Sequence, residues 1–250
     1  MEEFTIRLAD VVIGVHCRSE KNRAFFRDYL AQGEPAFTVC PTQDDLDAIR
    51  RQFEKERLEN GEPLLDYPEA YLENNALHAL IAERIAHCGA LLMHGSAIVV
   101  DGEAYLFTAR SGTGKSTHTR LWRERFGDRA YMLNDDKPML RADGGRVTVY
   151  GTPWDGKHHL SRNTSAPLKA LVQLERGKEN RIEPLSPAQM LPALITASYR
   201  SADRETAECI LALESEILQH VSLYRLVCNM DPDAADVAYR GMTEGKEIDA

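Results

Sequence analysis

The residues most suited to chemistry form a glycine-rich segment at 109–116, Ala-Arg-Ser-Gly-Thr-Gly-Lys-Ser. Its last three residues and its spacing follow the P-loop pattern G-x-x-x-x-G-K-[ST], whose backbone amides hold phosphate oxygens at the start of a helix. Lys115 would neutralise the β- and γ-phosphates, and the Ser116 hydroxyl would bind Mg²⁺. The residues predicted to contact nucleotide are Ser111, Gly112, Thr113, Gly114, Lys115, Ser116 and Thr117.

The segment departs from the pattern at its first position, where Ala109 replaces glycine. An alanine would be strained if the loop required a positive φ there. The alternative to a phosphate loop is an ordinary glycine-rich turn.

Two adjacent carboxylates, Asp135 and Asp136, follow the apolar segment 130–134. A nucleotide-bound Mg²⁺ usually needs a second oxygen ligand at the end of a nearby strand, and a free carboxylate can take the proton of an attacking hydroxyl. Because neighbouring strand residues point to opposite faces, we expect one of the two to face the phosphates. The metal ligands predicted are therefore Ser116, Asp135 and Asp136, although the pair could instead cap a turn before Pro138.

Further polar residues could contact an acceptor. The loop 151–163 combines two glycines, a proline and several ionisable side chains, and its predicted substrate contacts are Trp154, Asp155, Lys157, His158 and Arg162. The alternative is a solvated surface loop that the tryptophan anchors. His94 lies within an apolar run, where a histidine is either a core residue or part of a site.

The elements that would position these residues can be read from local patterns. Strand 104–108 precedes the phosphate loop and helix 115–126 follows it, while 91–100 is predicted as one continuous strand containing His94. A change of character near residue 90 separates an N-terminal α+β region, 1–90, from a core domain, 91–250. The first region could fold alone or pack onto the core.

Composition limits the class of protein. The chain has 250 residues with a net charge of −9, so it lacks the basic excess typical of nucleic-acid binders. No apolar run is long enough to span a membrane, the N-terminus has no signal-peptide pattern, and the five cysteines include no C-x-x-C pair. We therefore expect a cytoplasmic protein with no nucleic-acid or membrane partner.

Three segments together resemble one known family. The run Met93–Gly102, the segment Ser111–Ser116 and the triplet Asn134–Asp136 are similar to the catalytic domain of HPr kinase/phosphorylase, which has the phosphoenolpyruvate carboxykinase-like P-loop fold. The resemblance implies an α/β domain with a mixed, strongly curved sheet. It also implies that His94 is an active-site histidine and that the two aspartates serve the metal and proton transfer at a protein serine.

The chain lacks the R-G-x-G signature of the bifunctional members, so neither HPr as substrate nor phosphorolysis is implied. The predicted function is transfer of the γ-phosphoryl group of ATP, with Mg²⁺ as cofactor, to a hydroxyl. The acceptor would be a serine of a protein or peptide, or a small hydroxyl compound. The predicted catalytic residues are Asp135, Asp136, His94 and Lys115. The alternatives are a nucleotide-dependent switch without transfer and carboxykinase-like chemistry; homo-oligomers are compatible with all three.

Overall fold

A computed structural model describes residues 1–244, so the last six positions of the predicted core domain lie outside the described residues. The chain divides into two compact units, Met1–Cys88 and a second that begins at Gly89.

The first unit combines a small sheet with three helices. Its sheet has the order β1-β2-β3, in which β1 and β2 are antiparallel and β3 runs parallel to β2. The bounds of its elements are β1 Glu2–Leu8, β2 Val11–Cys17, α1 Glu20–Phe25, β3 Phe37–Val39, α2 Gln43–Glu59 and α3 Glu69–Ile85. Thr42 and Asp45 form a capping box that starts α2, and apolar residues around Leu46 and Leu72 pack α2 against α3.

The second unit is a mixed α/β structure with a curled sheet. Its strands are β4 Ala90–Leu92, β5 Ser96–Val100, β6 Glu103–Thr108, β7 Ala130–Asn134, β8 Met139–Asp143, β9 Arg146–Tyr150, β10 Ser165–Arg176, β11 Arg181–Pro184 and β12 Ser222–Cys228. Its helices are α4 Lys115–Phe126, α5 Pro187–Ala197, α6 Arg204–His220 and α7 Asp233–Thr243.

The sheet order is β4-β8-β9-β10-β6-β5-β7, and β10 also pairs with β12, which pairs with β11. The long strand β10 joins the two halves. Its first residues pair with β9, and its later residues pair in parallel with β6 and β12 after an irregularity between Leu168 and Ala170. A strand whose two ends belong to different neighbours allows the sheet to curl.

Strand directions bring the predicted site to one edge of the sheet. Strand β5 is antiparallel to both β6 and β7, so β6 and β7 run in the same direction, and so does β10. The phosphate loop after β6, the aspartates after β7 and the residues before β5 therefore meet at this edge. Helices α4 and α7 pack on the sheet around the fully buried Trp122, which keeps the start of α4 in a fixed place.

One predicted element is wrong. The segment 91–100 is not a continuous strand: β4 ends at Leu92 and β5 begins at Ser96. The two strands have different partners: β4 pairs with β8, whereas β5 pairs with β6 and β7. Gly95 lies at the break, where a Cβ atom would come within 2.7 Å of Leu106 Cδ1. The apolar pattern was continuous because both strands are buried.

Candidate functional site

The segment 109–114 forms a loop between β6 and α4, as predicted. Gly112 and Gly114 have φ angles of +75° and +120°, which other residues rarely adopt. Ala109 is absent from the described residues with positive φ, so the expected strain at this position does not arise. Helix α4 begins at Lys115, and its N-cap Gly114 has no side chain to satisfy the first amides. The helix start thus presents free N–H dipoles suited to an anion.

Lys115 points back along the loop. Its side chain is nearly buried, and Nζ lies 3.1 Å from the carbonyl oxygen of Ala109 and 2.8 Å from Nε2 of His94. The pKa of Lys115 is lowered, chiefly by burial and also by the charge of Lys137. The carboxylates of Asp136 and Asp135 act in the opposite direction. The lysine is at the start of α4, and the loop carbonyl of Ala109 is one of its hydrogen-bond partners, which suits a role in binding a phosphate at this position.

His94 lies at the break between β4 and β5. Its backbone N–H donates to the carbonyl of Ala197 at 2.7 Å, which holds the main chain at this break. Burial, followed by the charges of Lys115 and Lys137, lowers the pKa of His94 to about 4, so the imidazole is neutral at physiological pH.

A neutral ring has one N–H and one acceptor nitrogen. Lys115 and Lys137 can both only donate, and Lys115 is the closer of the two, so we assign Nε2 as the acceptor and Nδ1 as the nitrogen that carries the proton. Nδ1 lies 3.4 Å from Oδ1 of Asp136 and 3.3 Å from Nζ of Lys137. The carboxylate can accept the proton of Nδ1 and the ammonium cannot. The ring therefore connects Lys115 to Asp136.

The two aspartates occupy different environments. Asp135 is buried and its Oδ1 accepts from the hydroxyl of Ser96 at 2.6 Å, while Ser96 lies 3.1 Å from the hydroxyl of Thr119 on α4. This chain ties Asp135 to the helix that carries Ser116. The pKa of Asp136 is raised, chiefly by burial and also by the negative charges of Asp135 and Asp155. The charges of Lys137 and Lys115 act in the opposite direction. Asp136 thus has a greater tendency to take up a proton than an ordinary aspartate.

Asn134, whose function the sequence did not predict, organises the turn that contains the pair. Its Oδ1 accepts from the backbone N–H groups of Asp136 and Lys137 at 2.9 and 2.7 Å. Its Nδ2 donates to the carbonyl of Thr152 at 3.0 Å. The buried amide therefore holds the acidic turn and the start of the loop 151–163 together. An asparagine at the end of a buried strand was the only sequence signal.

The loop 151–163 lies beside the acidic pair. A Cβ on Gly156, whose φ is +70°, would lie 3.2 Å from Cβ of Asp136. Asp155 is occupied within the loop, by His159 at 3.1 Å and by the hydroxyl of Ser161 at 3.1 Å. The loop therefore reaches the site through its backbone at Gly156 and through the charge of Asp155.

The other predicted loop residues are less closely placed. Trp154 is half-buried, and Lys157 and His158 are exposed. The Arg162 guanidinium lies over the ring of Tyr131 at 4.5 Å, so this side chain packs on β7. Ser116 and Thr117 are half-buried in the first turn of α4, and Ser111 and Thr113 belong to the loop itself.

Among residues 1–244, no group of three or more His, Cys, Asp or Glu side chains is arranged to hold a metal ion. A nucleotide-bound Mg²⁺ does not require such a group, because it takes one or two protein oxygens in addition to phosphate and water. Ser116, Asp135 and Asp136 stay the predicted oxygen donors, and Asp135 is the one tied to α4 through Ser96 and Thr119.

Comparison with solved structures found similar chains. No protein family profile matches the chain, and no curated protein matches it. The solved structure of the Hpr(Ser) kinase/phosphatase from Coxiella burnetii is similar over 62% of this chain and 98% of its own, with 12% identity and a TM-score of 0.36. Similarity at this level carries no information on activity. No helix in the described part of the chain is long and apolar enough to cross a membrane.

Proposed function

We propose that this protein is a Mg²⁺- and ATP-dependent kinase that transfers the γ-phosphoryl group to a hydroxyl. The observation that carries the proposal is the junction of Lys115, His94 and Asp136 at the sheet edge where the phosphate loop ends. A phosphate-binding lysine and a carboxylate of raised pKa are linked there through a neutral imidazole.

Each residue has a distinct task in this proposal. The loop amides and Lys115 bind and orient the phosphate chain, and their positive charge offsets the charge of the transferred group. Ser116 and Asp135 would hold Mg²⁺, which neutralises phosphate charge when it is bound. Asp136 takes the proton of the acceptor hydroxyl. The Nδ1–H group of His94 orients the Asp136 carboxylate.

The raised pKa of Asp136 favours a kinase over a nucleotide switch. A protein that only binds nucleotide has no need of a proton acceptor, whereas phosphoryl transfer to a hydroxyl releases a proton. Burial is the largest cause of the shift, and a Cβ added at Gly156 would lie 3.2 Å from Cβ of Asp136. A serine as the acceptor is supported by the resemblance of the three motifs to HPr kinase, and a small hydroxyl compound fits the same chemistry.

The test is direct detection of transfer. A library of serine-containing peptides and a panel of small polyols are incubated with Mg-ATP, and mass spectrometry identifies phosphorylated products. ADP release is followed in parallel. We expect products and acceptor-dependent ADP release from the wild type and neither from Asp136→Asn. Tight Mg-ATP binding without transfer to any member of either panel would instead identify a nucleotide switch.

A further inference from the structure

Arg176 is the last residue of β10 and its side chain contacts the phosphate loop from outside. Nε donates to the carbonyl of Thr113 at 2.9 Å, and Nη2 donates to the carbonyl of Gly112. The guanidinium thus binds two consecutive peptide units of the loop. The side chain is exposed, and the chemistry described above does not use it.

These two contacts constrain the direction of loop amides. In a trans peptide the C=O group and the following N–H group point in opposite directions, and no cis peptide bond occurs in residues 1–244. Holding the Thr113 carbonyl outward therefore turns the N–H of Gly114 inward. The Gly112 carbonyl fixes the N–H of Thr113 similarly, although in this structure that amide donates to the Arg110 carbonyl at 3.2 Å.

The guanidinium also acts electrostatically. A charged donor polarises the peptide groups to which it binds, so the N–H on the far side of each group becomes a stronger donor. Because Gly112 and Gly114 have positive φ angles and no side chains, this part of the loop depends on backbone contacts such as these for its conformation.

The position of Arg176 is set by rigid neighbours. Strand β10 pairs in parallel with β6, with Gln173 opposite Thr108, so the arginine lies just past the residue where β6 enters the loop. The next residue, Gly177, donates its N–H to the carbonyl of Cys228 at 3.0 Å. A Cβ on Gly177 would lie 2.2 Å from Cγ1 of Val227, so only glycine permits this close contact with β12.

We infer that Arg176 is a positioning residue that pre-orients the loop amides for a phosphate chain, an inference that rests on the proposed function. It acts through the backbone of Gly112 and Thr113 and does not itself need to touch the nucleotide. The ligand class is a di- or triphosphate, because the amides that it directs immediately precede Lys115 at the start of α4.

The test uses four variants, Arg176→Gln, Arg176→Lys, Lys115→Ala and the control Arg181→Gln. Arg181 is exposed on β11 and belongs to no part of the site. Calorimetry measures the dissociation constants of Mg-ADP and of magnesium pyrophosphate, and melting temperatures are measured without ligand. Losing two charge-assisted hydrogen bonds to the loop should weaken both ligands roughly tenfold in Arg176→Gln.

Arg176→Lys should restore little of this affinity, because an ammonium lacks the planar fork that binds two carbonyls together. Arg181→Gln should bind both ligands as the wild type does. Loss of ADP binding with unchanged pyrophosphate binding would mean that Arg176 contacts the nucleoside, and would overturn a role in phosphate positioning.

Two other outcomes separate this inference from the proposed function. If Lys115→Ala loses affinity but Arg176→Gln binds normally, the inference is wrong and the phosphate loop stands. If the wild type binds neither ligand, both are wrong. Weak binding accompanied by an equal loss of ligand-free stability would indicate a folding defect and would overturn the positioning role.

Discussion

Nε2 of His94 lies 2.8 Å from Nζ of Lys115. The two residues come from opposite sides of the phosphate loop, one before β5 and the other at the first turn of α4. Because burial and the neighbouring lysines keep the imidazole neutral, it can accept a hydrogen bond from the ammonium group. The lysine is therefore held within the site by His94 and the Ala109 carbonyl and keeps its third N–H to offer to a phosphate.

Replacement of Lys115 should weaken nucleotide binding. Charge-assisted hydrogen bonds contribute ~1.5–3 kcal/mol, so Lys115→Ala should raise the dissociation constant of Mg-ATP roughly ten- to a hundredfold. Lys169→Ala serves as the control, because this lysine pairs with Glu103 on β6, away from the loop. Calorimetry measures both. Equal affinity in Lys115→Ala and the wild type would rule out the phosphate loop.

The two aspartates should respond differently to the same substitution. Asp136→Asn removes the proposed proton acceptor and should lower the turnover number by about 10²–10⁴, with ATP affinity largely retained. Asp135→Asn alters the carboxylate tied to Ser96 and should raise the Mg²⁺ concentration required for half-maximal activity. Steady-state kinetics over a Mg²⁺ titration separates the two effects. Wild-type turnover in both variants would mean that the pair only shapes a turn.

Local patterns and long-range pairing contributed differently to these expectations. The strand–loop–helix order around Lys115 is a property of neighbouring residues, and the structure has β6 and α4 at the predicted places. The break at His94 depends on β8, a strand that the sequence did not predict, because Met139–Asp143 has only two buried residues before it becomes polar.

The same limit applies to Arg176. The apolar run 168–174 alone predicts a shorter strand than β10, which the structure extends to Ser165–Arg176. The additional residues are polar or lie near the ends, so periodicity alone could not include them. Parallel pairing with β12 continues to Arg176 and carries its side chain to the loop. This pairing joins segments about fifty residues apart, which no local pattern encodes.

The stability of the protein should depend on pH through His118, a buried histidine on α4. Its Nε2 accepts from Nε1 of Trp122 at 2.9 Å, and burial lowers its pKa to about 3. The folded pKa lies below the unfolded value of about 6.5. The unfolded state therefore binds more protons between these values. The contribution of the neutral ring is fully present above about pH 6.5 and is lost as the pH falls towards 3.

As the pH is lowered, we expect the free energy of unfolding of the wild type to decrease more steeply than that of His118→Gln. The slopes should differ by up to about 1.4 kcal/mol per pH unit in this range. His220→Gln, at an exposed position, is the control and should follow the wild type. Urea unfolding monitored by circular dichroism between pH 5 and about 7 measures the slopes. Parallel slopes for wild type and His118→Gln would contradict the assignment.

Gly156 should be required for turnover in addition to stability. Gly156 and Gly144 both have positive φ, +70° and +56°, so alanine at either position should cost roughly 1–2 kcal/mol of stability. Only at Gly156 would the new Cβ press on Asp136, at 3.2 Å; at Gly144 nothing lies within 4 Å. Gly156→Ala should therefore lower the turnover number much more than Gly144→Ala. Equal turnover in two equally destabilised variants would show that the contact has no role in the reaction.

The loop 151–163 should close over the site when both substrates are present. Asn134 holds the start of this loop, and Gly156 lies so close to Asp136 that an added Cβ would come within 3.2 Å of it. Lys157 and His158, by contrast, are exposed. A kinase must exclude water from the transferred group, so a loop anchored beside the proton acceptor is suited to cover it.

We expect a non-hydrolysable ATP analogue with Mg²⁺ and a serine peptide to protect Lys157 from trypsin. The same ligands should change the emission of Trp154, identified by its absence in Trp154→Phe, since Trp122 is fully buried and should not respond. Lys115→Ala, which is expected to bind nucleotide weakly, should show neither effect at the same ligand concentration. Equal cleavage with and without ligands, together with wild-type kinetics for Lys157→Ala and His158→Ala, would identify 151–163 as a surface loop that Trp154 merely anchors.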